Sequence, residues 1–214
     1  LQGESPSPYD SFNLATHVED DLAAVLENRA NLSQELEIPL QFMNQVHGSR
    51  IVIIENVTDE APTADALVTG IPGVTLAVMV ADCIPLLLTS REAVAAVHVG
   101  RRGLVNGIAV TTLELMREMG AQDICATIGP AICGSCYEVS SQLHDEVIAQ
   151  FPLASAKTIS GTPSLDLPKA LMAVLQGAGV EVITNQEICT VENQDLFSYR
   201  RDGVTGRQAG LVRL

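Results

Sequence analysis

The feature that most restricts the fold is a set of short β-type runs crowded into the first half of the chain. Ile51–Ile54, Ala66–Thr69, Val74–Val80 and Ala93–Val99 are rich in β-branched and small apolar residues, and most are bounded by Gly, Asn or Asp. Segments this short have to pair in a sheet. In the last of them Val94, Ala96 and His98 share one face and Ala95, Val97 and Val99 the other. His98 therefore points where small apolar residues point, towards something enclosed.

Helical signals surround these runs. Asp20 and Asp21 open DLAAVLENRANL, in which Leu22, Val25, Leu26 and Arg29 fall near one face. A second helix is expected after Gly103, carrying Leu104, Ile108, Leu113, Leu115 and Met116 and stopping at Gly120. Ile124–Ile128 reads as a strand, and Ser140 or Ser141 caps a helix running to Phe151. Asp166 with Pro168 starts a helix that Gly177 and Gly179 end, and a strand follows around Val182–Ile183. An irregular tail bearing Gly and Arg closes the chain. No repeat, linker or boundary divides it. The expected class is α/β (α+β), a single mixed-sheet domain over residues 1–214.

Composition removes several function classes. The 26 Asp+Glu outnumber the 12 Lys+Arg, for a formal charge of −14, and aromatics are 3% with no Trp. That balance excludes a nucleic-acid module, which needs clustered basic residues or stacking rings. The longest apolar run, Val74 to Leu88, is broken by Asp82 and Pro85 and is too short to span a membrane. Five cysteines, an odd and sparse set, suit a reduced compartment, so a cytoplasmic location is expected. Nothing in the sequence sets an oligomeric state.

Two of the four histidines keep unusual company. His47 lies in NQVHGS ahead of a strand, and His98 ends one. Cys83, in ADCIP, follows another apolar run and is preceded by Asp82. Two imidazoles and a thiolate make three zinc ligands and leave one position open. The same residues also serve a metal-free reading, a Cys83 nucleophile activated by His98 with His47 or Asp82 as orienter. A third reading makes them hydrogen-bonded core residues. Separations of 36 and 15 residues match no short metal motif, and these readings stay open on the residues alone. Asp82 is the better functional carboxylate, whereas Asp65 ties a turn and His17 and His144 are structural.

Cys133-Gly134-Ser135-Cys136 has the spacing of a redox or zinc half-site. Its loop context disfavours redox chemistry, and no second Cys or His pair is spaced to complete a zinc site, so it reads as a turn with incidental thiols. Half of the basic residues, Arg101, Arg102, Arg200, Arg201, Arg207 and Arg213, fall in two motifs, GRRG and the C-terminal tail. If GRRG and FSYRRDGVTGR meet in space, an acidic protein has one local site for a small anion such as phosphate.

The ordered series NLATHVEDDLAAVLENRANL, NQVHG, TADALVT, ADCIPLLL, AVHVGRRGL, IGPAICGSCYEV and FSYRRDGVTGRQAGLVRL resembles the laccase-domain (YfiH-like) family. Its members were first described as multicopper polyphenol oxidases and are now regarded as purine nucleoside phosphorylases. The resemblance implies a fold like the catalytic domain of cytotoxic necrotizing factor and a metal site at His47, Cys83 and His98. It implies a zinc-dependent enzyme that phosphorolyses adenosine, inosine or methylthioadenosine and deaminates adenosine, with nucleoside and phosphate as partners. Cys83, His98 and Asp82 would be catalytic, and Arg102, Arg200 and Arg201 would hold phosphate. The alternatives are a metal-free Cys-His hydrolase, a copper-dependent polyphenol oxidase and a non-catalytic metal-binding protein. Four histidines cannot furnish a trinuclear copper cluster beside this site, so copper chemistry would arise from copper bound at His47, Cys83 and His98. Two departures stand out: Arg101 replaces the Trp of the family's GWRG, and a first strand with a TTR-like motif and GGVS is expected to be missing before LQGESPSPYDSFNL.

Overall fold

Asp21 opens the first helix by accepting a hydrogen bond from the Ala23 amide, as its place before an apolar-periodic stretch predicts. The computed structural model describes residues 2–214. Its elements run α1 (Leu22–Leu36), β1 (Leu40–Gln41), β2 (Ile51–Ile53), β3 (Ala66–Thr69), β4 (Thr75–Val80), β5 (Ile84–Thr89) and β6 (Val94–Val99). The second half continues with α2 (Arg101–Val105), α3 (Ile108–Glu118), β7 (Cys125–Ile128), α4 (Ser141–Ile148), β8 (Ser155–Lys157) and β9 (Pro163–Leu165). It closes with α5 (Leu167–Gly177), β10 (Val182–Asn185), α6 (Tyr199–Asp202) and β11 (Gln208–Arg213). Ser140 and Asp166 cap α4 and α5 by accepting from the amides of Leu143 and Lys169.

Six strands form a mixed sheet in the order β10-β7-β5-β6-β3-β2, three form a smaller one in the order β1-β4-β11, and β8 pairs with β9. On one face of the large sheet Val68, Leu86, Ala95 and Val97 pack against Leu104, Ile108, Leu113 and Leu171 of the helices. On the other, Leu67, Val94 and Ala96 meet Leu76, Val78 and Val80 of the small sheet. The far side of β4 is covered too, with Ala77 and Met79 against Leu14, Leu32 and Phe42. A strand enclosed on both faces explains why TLAVMV lacks a polar alternate and is buried throughout. The result is a mixed α/β single domain layered helix, small sheet, large sheet, helices. Among the described residues no helix is long and apolar enough to cross a membrane.

Several local expectations are corrected. The helix after Gly103 is two helices, because Gly107 takes a left-handed φ of 73° between α2 and α3. The buried face of α1 is Val25, Asn28 and Leu32, while Leu22 and Leu26 are 55% and 52% exposed. Asn28 sets that rotation: its amide donates to Ser5 Oγ and to the carbonyls of Ser11 and Asn13, a polar anchor that apolar periodicity does not reveal. ADCIPLLL contains a strand, β5, despite Pro85. Its ladder with β7 begins only at Leu86, so the missing N–H of proline costs no bond on that side. The tail is not irregular either, since β11 pairs antiparallel with the full length of β4.

Candidate active site

The ends of four strands open in the same direction and carry the chemistry. The β5–β6 ladder pairs Ile84 with Val99, so the next step along it sets Cys83 opposite Gly100. His98 lies on the face of β6 that meets the small sheet and is 4% exposed. Asp65 precedes β3, which runs antiparallel to β6, and is completely buried. Its Oδ1 sits 2.8 Å from Nδ1 of His98, and its backbone carbonyl accepts the His98 amide.

The same carboxylate positions His47. Asp65 accepts the successive amides of Val46, His47 and Gly48 at 3.3, 2.9 and 2.7 Å. His47 takes a left-handed φ of 57°, a conformation that these converging bonds enforce. Gln45 fastens the loop to β4, donating to the carbonyl of Met79 at 2.7 Å and accepting its amide at 2.8 Å. One buried acid and one amide side chain thus bring a loop histidine to a strand histidine.

The donor atoms of His47, Cys83 and His98 all lie within 4.8 Å of one another. With Nδ1 bonded to Asp65, His98 turns Nε2 to the cluster, the arrangement that metal-binding imidazoles take. A β-carbon on Gly100 would stand 3.0 Å from both Cys83 Sγ and His47 Nδ1, so the glycine leaves the space that the donors share. Two nitrogens, a sulfur and a cleared centre fit a zinc ion. Burial works against a charged His98, but the bond to Asp65 and the neighbouring Cys83 override it and raise its pKa to about 9. Burial would likewise raise Asp65, yet the His98 bond and the Gly48 amide hold it below the ordinary carboxylate range. Partial enclosure and the neighbouring His98 lower the pKa of His47 and favour its neutral, ligating form.

A cavity of about 430 Å³ opens above the cluster, within the range of small-ligand sites. Tyr137, Tyr199, Arg101, Arg200 and Arg207 line it, with Nη1 of Arg200 donating to the carbonyls of Cys136 and Glu138 and Nη1 of Arg207 to those of Thr205 and Gly206. Asp82 lines it as well, at a strained φ of 88°. Its Oδ1 accepts from Thr190 Oγ1 at 2.6 Å and Ser198 Oγ at 2.7 Å, and its Oδ2 accepts the Arg200 amide at 2.6 Å. The carboxylate therefore draws the segment 190–200 against the cavity.

His47, Cys83, His98, Asp82 and Arg200 are brought together, whereas Arg102 and Arg201 are not. Arg102 is exposed on α2 and outside the cavity. The Arg201 guanidinium is spent on the carbonyls of Thr190, Asn193 and Leu196 and on Asp202. Arg101 and Arg207 line the cavity instead. His17, expected to be structural, lines it too. Asp65 carries far more than a turn. A carboxylate directly ahead of a predominantly apolar strand was its one sequence signal.

The fold and site define a class: a mixed α/β domain with a His-Cys-His cluster beneath a small, arginine-lined cavity. The chain belongs to the multi-copper polyphenol oxidoreductase laccase family, whose model matches residues 1–214. A protein of Mycobacterium tuberculosis named purine nucleoside phosphorylase is 44% identical over 98% of this chain and 87% of its own length. One of the same name from Pseudomonas aeruginosa is 36% identical over 99% and 89%. The crystal structure of a Neisseria meningitidis protein superposes with a TM-score of 0.90 at 36% identity, covering 100% of this chain and 90% of that one. YfiH of Bacillus licheniformis superposes with 0.90 at 31% identity, covering 99% and 89%.

Proposed function

We propose that this protein is a zinc-dependent enzyme that phosphorolyses purine nucleosides. The observation that carries the reading is one cavity combining two tyrosine rings, three arginines and the His-Cys-His cluster. The relatives' names support it. His47, Cys83 and His98 would hold the metal, which when bound supplies Lewis acidity at the cavity floor. Tyr137 and Tyr199 enclose a purine ring between apolar faces. Arg101, with the guanidinium nitrogens of Arg200 and Arg207 other than the Nη1 atoms held by carbonyls, binds phosphate and places one of its oxygens against the ribose anomeric carbon. That oxygen forms the new C–O bond as the C–N bond to the purine breaks, and the bond's electrons leave with the base. Asp82 serves chiefly as a positioning group, since all three of its bonds hold the segment that carries Arg200. Arg101, where the family has Trp, adds a cation to the phosphate side.

The test is incubation of zinc-loaded protein with adenosine or inosine, with and without phosphate, followed by chromatography. Free base and ribose-1-phosphate should form only with phosphate, and inosine formed from adenosine would report deamination. Absence of all products from fully loaded protein would overturn the reading. A second reading has its own observation, because Asp65, His98 and Cys83 stand in the order of a nucleophile triad. It predicts metal-free protein whose Cys83 is alkylated with loss of a hydrolytic activity.

Gly100 has φ −83° and ψ −179°, ordinary extended backbone that alanine adopts freely. Gly100→Ala should therefore keep the fold, with an unchanged circular dichroism spectrum, while its methyl group crowds Cys83 and His47. Zinc affinity is expected to fall about tenfold or more, a loss of about 1.4 kcal/mol. An unchanged affinity by competition titration would contradict the shared centre.

His98 sets a pH dependence. Its folded pKa of about 9 exceeds the ordinary 6.5, so metal-free protein holds the extra stability below about 6.5 and loses it as pH rises through about 9. Zinc uptake runs the other way, because it must displace that proton. Apparent affinity should weaken about tenfold per unit as pH falls from 8 to 6 through His98 alone. Calorimetry in buffers of different ionisation heat would count the protons released.

A further inference from the structure

Away from the cavity floor, Cys133, Cys136, Cys189 and Glu192 form a second cluster whose donor atoms all lie within 4.8 Å of one another. The CxxC turn, read from sequence as lacking a second Cys or His pair, is joined in space by Cys189 and Glu192, more than fifty residues downstream. We propose that these four side chains hold a structural zinc ion that clips the turn 133–136 to the loop 189–192.

The local backbone is built for two ligand-bearing turns. The carbonyl of Cys133 accepts the amides of Cys136 and Tyr137, and the carbonyl of Cys189 accepts the amide of Asn193. Each turn brings its first and fourth residues to one side. A parallel bridge between Ala131 and Cys189, with bonds from Ala131 to Ile188 and from Thr190 to Ala131, sets the turns side by side. Ligands on one tetrahedral zinc, at ~2.0–2.3 Å from the ion, stand roughly 3.3–3.8 Å apart. Cys136 Sγ and Glu192 Oε1 are 3.7 Å apart, within that span. A β-carbon at Gly134 would lie 2.9 Å from the Asp166 β-carbon, so the first turn also needs its glycine.

Charge is handled locally. Three thiolates and a carboxylate around a divalent ion leave a double negative charge. The Cys133 amide donates to Cys189 Sγ at 3.4 Å. Arg201 caps the carbonyls of Thr190, Val191 and Asn193, and Arg200 donates to the carbonyls of Cys136 and Glu138. Both guanidinium groups therefore sit on the turns that would carry the ligands. Four protein ligands close the coordination sphere, which marks a structural rather than a catalytic ion. Binding releases the thiol protons to solvent and changes no oxidation state. The clip would stiffen one wall of the cavity, since Tyr137 follows Cys136 and Arg200 lies against Glu138.

The test is metal analysis of the full chain, purified under reducing conditions and saturated with zinc. Wild type should hold about two zinc ions per chain, and Cys83→Ser, Cys136→Ser and Glu192→Gln separate the sites. Cys83→Ser should keep about one ion, and its cobalt-substituted form should show the charge-transfer absorption of three thiolates. Cys136→Ser should also keep about one ion but melt at a lower temperature. Glu192→Gln, at an exposed position, should fold normally and release its second ion faster to a chelator. If Cys83→Ser alone matches wild type, the His-Cys-His site fails and the clip stands. If Cys136→Ser matches wild type in metal content, the clip is overturned. A disulfide among these cysteines in zinc-treated protein, seen as a mass lower by two hydrogens, overturns it as well.

Discussion

Asp65→Asn is expected to lower zinc affinity at the His-Cys-His cluster by about 10–100-fold and to destabilise the protein by about 3 kcal/mol. Oδ1 of Asp65 accepts the His47 amide and faces His98 Nδ1, while Oδ2 accepts the amides of Val46 and Gly48. An asparagine amide has one acceptor oxygen, so either orientation points an NH₂ group at a donor. With its NH₂ toward His98, the imidazole loses the partner that fixes its tautomer. With its NH₂ toward Val46 and Gly48, the loop carrying His47 loses its anchor. For a chain of this size the melting temperature should drop by about 6–12 °C. Zinc should raise that temperature less than in wild type, because the bound state is weakened as well. Wild-type affinity in Asp65→Asn would show that the carboxylate is not what positions the two histidines.

Asp82→Ala is expected to cost about 3 kcal/mol or more and to raise the KM for phosphate by at least about tenfold, with a smaller fall in kcat. The substitution removes the acceptor for Thr190, Ser198 and the Arg200 amide together. A control separates this tether from the φ of 88°. Asp82→Gly relieves the backbone strain yet lacks the carboxylate, so it should match alanine in KM while recovering part of the stability. Proteolysis within 190–200 should accelerate in both variants. A KM unchanged in both, with kcat abolished, would instead make Asp82 the proton carrier of the reaction.

Much of the domain was legible in the chain because its signals are local. Side chains at Asp21, Ser140 and Asp166 satisfy the first amides of helices and so mark where they begin. The apolar strands β3, β4 and β6 are visible because burial on both faces leaves no regular polar alternation, only Thr69, Thr75 and His98 among apolar residues. β11 was not legible. QAGLVR is a strand because the long open edge of β4 receives it, and that edge lies more than a hundred residues upstream. The rotation of α1 was hidden for a related reason, since a buried asparagine with distant acceptors sets it rather than the leucines.

By itself the sequence determined the class of the fold, the acidic surface and the identity of the residues worth watching: His47, Cys83, His98 and the arginines. Their chemistry follows from side-chain type and needs no coordinates. Only the tertiary structure decided which of them meet. The β5–β6 register puts Cys83 beside Gly100, and Asp65 pulls His47 towards His98. Arg207 lines the cavity while Arg201, with all three guanidinium nitrogens engaged, does not, and a loop far along the chain delivers Cys189 and Glu192 to the CxxC turn. Ligand clusters and anion sites are made of long-range contacts, whose spacing in sequence carries no period. Ladder register and buried hydrogen bonds set those contacts, and both exist only once the chain has folded.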